Sequence, residues 1–249
     1  MVVRLDSGPR DAPAVIFVHG AGIAGWMWKK QVEALPSLRK LVIDLPDHGL
    51  DRGTAFGSIE SAADELAALV ADRCPGGKAH LVGHSLGAKI VLETLARRPS
   101  CALSAVVSSA LVRPSAVVSM MNSHSLNALS LWMLRSRKIA EMQARQFKFP
   151  DRDMEESYIA DIAAMEPGNL DRPIGAFCSR LFLPSGLGSV ACPVLVTVGS
   201  KEARSMIGSA GDIVGAVPGA ALETLKDADH TYPWSRYEEY DSLLERLIV

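Results

Sequence analysis

Gly83-His84-Ser85-Leu86-Gly87 is the stretch of this chain whose residue types and spacing suit covalent chemistry. An apolar run, Ala79-His80-Leu81-Val82, precedes it, and a helical pattern, Ala88-Lys89-Ile90-Val91, follows. A serine on a sharp strand-to-helix turn has strained backbone angles, and flanking glycines remove side chains that would collide across the turn. Such a turn lifts the Ser85 hydroxyl above the sheet edge. It also aims the N–H of Leu86, at the start of the helix, toward a developing oxyanion. The chemistry is nucleophilic attack on a carbonyl carbon. Gly-x-Ser-x-Gly alone is a weak signal, and its weight depends on partners elsewhere in the chain.

A serine hydroxyl is a poor nucleophile near neutral pH unless a base takes its proton as it attacks. The best-placed base is His230, in Asp227-Ala228-Asp229-His230-Thr231-Tyr232-Pro233-Trp234, after the last expected strand. That position is the carboxyl edge of a parallel sheet, where Ser85 also lies. The other histidines fit less well. His19 and His48 lie in glycine-bearing turns and are expected to hold loop backbones. His80 starts the strand, His84 is the variable position beside the serine, and His124 belongs to a helical block. The orienting acid is expected at Glu202, which follows the strand Val194 to Val198 by way of Gly199-Ser200-Lys201. The rival position, after the preceding strand, reads Val107-Ser108-Ser109-Ala110-Leu111 and offers no carboxylate. Asp227 and Asp229 are too near His230 in sequence to approach its ring easily. A second oxyanion donor is expected from His19-Gly20-Ala21-Gly22, the N–H of Ala21 pairing with that of Leu86. Losing one donor from a site of this kind costs about 3 kcal/mol in the barrier.

Positioning these groups requires strands that end together. Ala14-Val15-Ile16-Phe17-Val18 is the first strong strand, and its unbroken apolar run suits a central parallel strand covered on both faces. A helix from Met27 to Leu35, a strand from Lys40 to Ile43 and a helix capped by Ser58 follow. The Ser85 strand and helix come next, then strands at Ala102 to Val107, Val194 to Val198 and Ala221 to Leu225, and a last helix from Ser235 to Ile248. Alternating β and α segments imply an α/β, doubly wound and mostly parallel sheet. Between 113 and 190 the alternation breaks into helical patterns containing Met120, Met121, Leu126, Leu129, Trp132, Met133, Phe147 and Tyr158. The expected organisation is a core of residues 1–112 and 191–249 with a helical cap inserted at 113–190.

Composition narrows the function classes. Hydrophobic residues make up 48% and charged residues 22%, as in a globular chain, and a net charge of −2 argues against nucleic acid or an anionic membrane as partner. The four cysteines have no metal-ligand spacing. Met1-Val2-Val3-Arg4-Leu5-Asp6 lacks the apolar core of a signal peptide, and no stretch approaches a membrane span. A cytoplasmic setting is the expectation.

Taken in order, His19-Gly20-Ala21-Gly22, Trp26-Met27-Trp28, Asp44-Leu45-Pro46-Asp47-His48-Gly49, the Ser85 turn, Gly199-x-x-Glu202 and His230 resemble the α/β-hydrolase superfamily over nearly the whole chain. The likeness is greatest to small capped esterases, carbon–carbon bond hydrolases and hormone-receptor-like members. It implies an α/β-hydrolase fold, an oxyanion donor in the His-Gly loop, and a cap that bounds the acyl or alcohol pocket. Three features depart from the family pattern. Only about 13 residues precede the first strong strand, suggesting a trimmed sheet edge; Asp47 replaces a usual glycine, suggesting a modified surface turn; and the acid is Glu rather than Asp. A serine nucleophile also argues against haloalkane dehalogenase or epoxide hydrolase chemistry, where the family uses aspartate.

The expected activity is hydrolysis of a small, fairly apolar ester or lactone through an acyl-enzyme, with no cofactor and no metal. Ser85 attacks, His230 is the base, Glu202 orients it, Ala21 and Leu86 hold the oxyanion, and Trp26, Trp132 and Met133 touch substrate. The expected partner is that small-molecule substrate, with no nucleic acid and no membrane. One alternative is carbon–carbon cleavage of a vinylogous diketone, which needs cations or amides to hold a carboxylate; Arg135, Arg137, Lys138, Arg145 and Lys148 are the candidates. Another is a slow-turnover, receptor-like protein that binds a small ligand.

Overall fold

In the computed structural model, residues 1–115, 120 and 122–248 are described; Met121 of the expected helical block lies outside them. Seven strands form one sheet: β1 (Val2–Ser7), β2 (Ala14–Val18), β3 (Arg39–Asp44), β4 (Ala79–His84), β5 (Ala102–Ser108), β6 (Val194–Gly199) and β7 (Ala221–Leu225). Their order is β1-β3-β2-β4-β5-β6-β7. β1 pairs antiparallel with β3, so the N-terminal edge is a single antiparallel strand, and the remaining pairs are parallel. From β2 the chain goes first to one side, to β3, and then to the other, to β4. The crevice beyond the carboxyl ends of β2 and β4 is therefore the switch point where open α/β sheets bind ligands.

Both sheet faces are covered, which is why β2 is buried along its whole length. Alternate residues of each strand serve opposite cores. Ile16, Val18, Ile43 and Leu81 pack with α2 (Ile59–Arg73), α3 (Leu86–Arg97) and α8 (Arg204–Ala216). Val15, Phe17, Val42 and Val82 pack with Met27, Trp28 and the last helix, α10 (Tyr237–Ile248). Ser58 caps α2 as expected: its hydroxyl accepts from the Ser61 N–H at 3.1 Å, and its own N–H donates to the Ser61 hydroxyl at 3.0 Å.

Two helices differ from expectation. The segment beginning near Met27 is a 3-10 turn, Gly25–Trp28, followed by a short α1 (Lys29–Ala34). The turn starts early because the Gly25 N–H donates to buried Asp44 Oδ1 at 2.7 Å. The C-terminal segment divides at Arg236 into α9 (Tyr232–Ser235) and α10.

Between β5 and β6 the described residues contain helices and no strand: α4 (His124–Leu134), α5 (Arg137–Phe147), α6 (Arg152–Ala164) and α7 (Pro167–Cys178). Asp47 joins this insertion to the core, which corrects the expectation of a modified surface turn. Asp47 is fully buried, and its carboxylate accepts from the Phe56 N–H at 2.8 Å, Asn169 Nδ2 at 2.9 Å and Arg172 Nε at 2.8 Å, with Arg172 Nη2 on its other oxygen. Burial alone would raise this carboxyl, but the bonds from Arg172, Phe56 and Asn169 hold it below the usual carboxylate range. In sequence the turn looks exposed because its partners, on α7, are more than a hundred residues away. No helix among the described residues is long and apolar enough to cross a membrane.

Candidate active site

Ser85 occupies the turn between β4 and α3 with φ 54° and ψ −111°, a conformation that L residues rarely adopt. Its N–H donates to Ser108 O at 2.8 Å, and its carbonyl accepts from the Lys89 N–H at 3.1 Å. The two flanking glycines are required by contact rather than by turn angle. A Cβ on Gly83 would lie 2.5 Å from Gly87 O, and one on Gly87 would lie 2.1 Å from Val18 O. Strand β4, helix α3 and the end of β2 thus meet without side chains between them. The β2 loop comes so near that a Cβ on Gly20 would stand 3.3 Å from Ser85 Cβ.

That loop carries Ala21, and two buried imidazoles hold it. His48 Nε2 accepts from the Gly22 N–H at 3.1 Å, and His19 Nε2 accepts from the Leu45 N–H at 2.9 Å. Each ring must then carry its proton on Nδ1, which faces a carbonyl: Pro46 O at 2.8 Å for His48 and Gly20 O at 2.7 Å for His19. Burial lowers both pKa values, so both rings are neutral. The expectation that these histidines hold loop backbones is what the hydrogen bonds show. Leu86 is the first residue of α3, so its N–H has no intrahelical acceptor.

His230 and Glu202 meet across the ends of β6 and β7. His230 Nδ1 lies 2.7 Å from Glu202 Oε2. The two loops are locked together by the Lys201 N–H donating to Ala228 O at 2.9 Å. The Glu202 carboxylate is 3% exposed, whereas His230 is 43% exposed. Burial pushes Glu202 upward, but the bond from His230, with those from Gly199 and Ser109, brings it below the usual glutamate range. An anion facing Nδ1 fixes the tautomer and leaves Nε2 for the cavity side. His84 packs beneath, its ring centroid 4.6 Å from that of His230, fully buried and pushed well below the usual histidine pKa by that burial. Its ring packs against His230, Tyr232 and Trp234.

Ser85, Ala21, Glu202 and His230 line one cavity of about 560 Å³. Its walls are apolar: Leu111 follows β5, Phe147 ends α5, Ile174 and Phe177 lie on α7, and Met206 lies in the first turn of α8. Ser115, Lys201, Ser205 and Asp229 supply polar groups. Asp229 is held by Lys148 Nζ at 2.8 Å and by the Thr231 N–H at 3.0 Å, which offset its burial and lower its pKa to about 2.

The three residues expected to touch substrate lie elsewhere. Trp26 donates its indole N–H to Asp161 Oδ2 at 2.6 Å and lines a separate groove of about 260 Å³ against Arg4 and Met154. Trp132 is 69% exposed, and Met133 lines a groove of about 200 Å³ with Met142. Helix α4 turns Asn127 and Leu131 inward, one helical turn apart, so Trp132 and Met133 fall on other faces. The residues that do form the walls were missed. Phe147 had a signal in the helical pattern of the insertion, but nothing in the sequence distinguishes Ile174 or Phe177 as lining rather than packing. Ser109 was missed as well: it stands where the rival acid was sought and donates its hydroxyl to Glu202 Oε1 at 2.7 Å.

Comparison with known proteins agrees with this fold. The profile of the Alpha/beta hydrolase family matches residues 15–242. The magnesium-chelatase 30 kDa subunit of Rhodobacter capsulatus is 33% identical over 93 residues, 36% of this chain and 32% of that protein. A probable esterase of Oryza sativa subsp. indica, PIR7A, is 35% identical over 95 residues, 36% of each chain. The matched stretch spans about a third of the length of these relatives. The enol-lactonase from Burkholderia xenovorans LB400 superposes with a TM-score of 0.78 at 18% identity, over 98% of this chain and 95% of that one, a likeness of fold. With that profile spanning nearly every element from β2 into α10, the chain belongs to the Alpha/beta hydrolase family.

Proposed function

We propose that this protein is a serine hydrolase that cleaves a fairly apolar carboxylic ester or lactone through an acyl-enzyme. The observation that carries the reading is the buried Glu202 bound to His230 at 2.7 Å, opening with Ser85 into one largely apolar cavity. Ser85 Oγ attacks the carbonyl carbon while His230 Nε2 takes its proton. The carbonyl oxygen becomes an oxyanion held by the N–H groups of Ala21 and Leu86. His230 then passes the proton to the leaving oxygen, the C–O bond breaks, and Ser85 is acylated. Water repeats the sequence in reverse, with His230 as base, and releases the acid. Residues 113–190 act as a cap, and Phe147, Ile174 and Phe177 bound the substrate's apolar part.

The charges of the insertion favour an ester over a carboxylated diketone. Arg135 pairs with Glu166, Arg137 with Glu141 and Glu156, and Lys148 with Asp229, and none of the five candidate cations lines the cavity. The esterase and lactonase names among the similar proteins point the same way. The test is a panel of p-nitrophenyl esters of increasing acyl length, with lactones and a vinylogous diketone, run on the wild type and on Ser85→Ala. Ester or lactone turnover that Ser85→Ala loses is the expected result. Turnover of the diketone alone, or a Ser85→Ala variant keeping more than about a tenth of wild-type kcat, overturns it.

A further inference from the structure

β5 ends one residue before Ser109, whose φ of 54° matches that of Ser85 at the end of β4. The Ser109 N–H donates to Thr197 O at 2.9 Å, which seats the turn against β6. Its hydroxyl lies 2.7 Å from Glu202 Oε1, and an ionised carboxylate only accepts, so Ser109 is the donor. The Gly199 N–H donates to the same oxygen at 2.8 Å. Oε1 therefore holds two neutral donors, and Oε2 is left to face His230 Nδ1. Glutamate has one more rotatable bond than aspartate, so fixing the far end of its side chain matters more.

Ser109 has one proton, and the shorter contact, to Glu202 Oε1, takes it in preference to Tyr232 Oη, the second acceptor 3.2 Å away. Tyr232 Oη is also 2.8 Å from Thr197 Oγ1, Thr197 Oγ1 is 2.8 Å from Ser108 Oγ, and Ser108 Oγ is 2.7 Å from Tyr240 Oη. Ser108, Ser109, Thr197, Tyr232 and Tyr240 are all buried. Hydroxyls in such a row polarise one another where little water competes. Tyr232 lies two residues beyond His230, so the row that ends on the acid also anchors the histidine loop.

We propose that Ser109 is a positioning residue of the catalytic site: it fixes the Glu202 carboxylate so that Oε2 alone faces His230. This rests on the reading of Ser85, Glu202 and His230 as a triad. Ser109→Gly is the sharpest variant, because glycine adopts a positive φ without strain and only the hydroxymethyl group is lost. A hydrogen bond to a charged group contributes enough that kcat falls about tenfold to a hundredfold, with KM within about twofold. The acid limb of kcat/KM also moves. A carboxylate that has lost a donor attracts the facing imidazolium more strongly, so the limb shifts toward higher pH. A merely structural residue would instead lower the fraction of active sites, counted by fluorophosphonate titration, and leave the limb in place.

Ser109→Ala also removes the hydroxyl while keeping a methyl group, and the same loss of kcat and upward shift are expected. It carries the test if Ser109→Gly does not fold. Ser85→Ala separates the two readings. If Ser85→Ala is inactive while Ser109→Gly, or Ser109→Ala in its place, keeps the wild-type kcat and acid limb, the positioning role is overturned and the triad stands. If Ser85→Ala remains active, the triad reading falls and this proposal with it.

Discussion

Ser85 after β4, Ser109 after β5 and Asp47 after β3 all hold positive φ values, 54°, 54° and 69°, on loops leaving strand ends. Each is pinned by hydrogen bonds from elements distant in sequence. On α4, by contrast, Leu126, Leu129, Trp132 and Met133 stand 41–69% exposed, while the helix buries Asn127 and Leu131. The strand-end loops aim particular atoms through a backbone with nowhere else to go. The inserted helices present faces, and which face meets the cavity depends on how the whole block sits. On the proposed reading, chemistry is built on the first kind of region, and the second supplies Phe147, Ile174 and Phe177 to the substrate walls. The two are therefore expected to fail differently when mutated.

The largest effect is expected on the loop side. Glu202→Gln keeps the shape but removes the charge that stabilises the imidazolium and selects the tautomer of His230. Its kcat is expected to fall by roughly two to four orders of magnitude with a much smaller change in KM. Glu202→Asp keeps the charge and shortens the reach by one methylene, so part of the loss returns. Steady-state kinetics of the two variants check this. A Glu202→Gln enzyme close to wild type in kcat would move the acid elsewhere and undo the contrast.

This split explains what could be read before the structure. Strand positions, the Ser58 cap, and the meeting of His230 with Glu202 follow from local signals: unbroken apolar runs, capping residues, and loops placed after successive parallel strands. Leu86 at the head of a helix and Ala21 beside two backbone-holding histidines were legible for the same reason. Asp47 and Ser109 were not. A lone aspartate in a turn and a serine after a strand look solvated until Arg172, 125 residues on, or Glu202, 93 residues on, is brought to them. Trp132 and Met133 were misplaced because residue type suggests an apolar pocket, whereas facing is decided by the packing of α4.

Asp47 lies at the junction of the two regions, and its loss is expected to have an intermediate effect. Asn169 and Arg172, which it holds, are on α7 with the cavity residues Ile174 and Phe177. Asp47→Asn leaves a guanidinium without its anion. The expected destabilisation is about 2 kcal/mol, less than for a fully buried pair because Arg172 is 45% exposed. A loosened α7 raises KM several-fold with kcat little changed, the reverse of the Glu202 pattern. The pH dependence follows from the lowered carboxyl: its contribution is present above the unfolded value of about 4 and lost as pH falls through the lower folded value. Urea midpoints of wild type and variant are thus expected to differ at pH 7 and converge well below pH 4. Equal midpoints at both pH values would leave α7 held by its apolar contacts alone.

The smallest effects sharpen the comparison within the substrate side itself. Met206 lines the cavity from the first turn of α8 and is only partly buried, so Met206→Ala removes wall without removing core. Losing that apolar contact is worth about 1 kcal/mol to a substrate long enough to reach it, or about a fivefold rise in KM. A short acetyl ester that does not reach it is expected to be unaffected. Trp132→Ala removes a larger aromatic side chain, yet that side chain lies outside the cavity, 69% exposed on α4. Both kcat and KM for every ester in the panel are expected to stay within about twofold of wild type, as for a surface substitution away from special contacts. KM measured against acyl length for the two variants gives the decision. If Trp132→Ala raised KM for long esters and Met206→Ala did not, α4 would have to turn toward the cavity when substrate binds. In that case the faces of the inserted block, unlike the strand-end loops, would be set by the ligand.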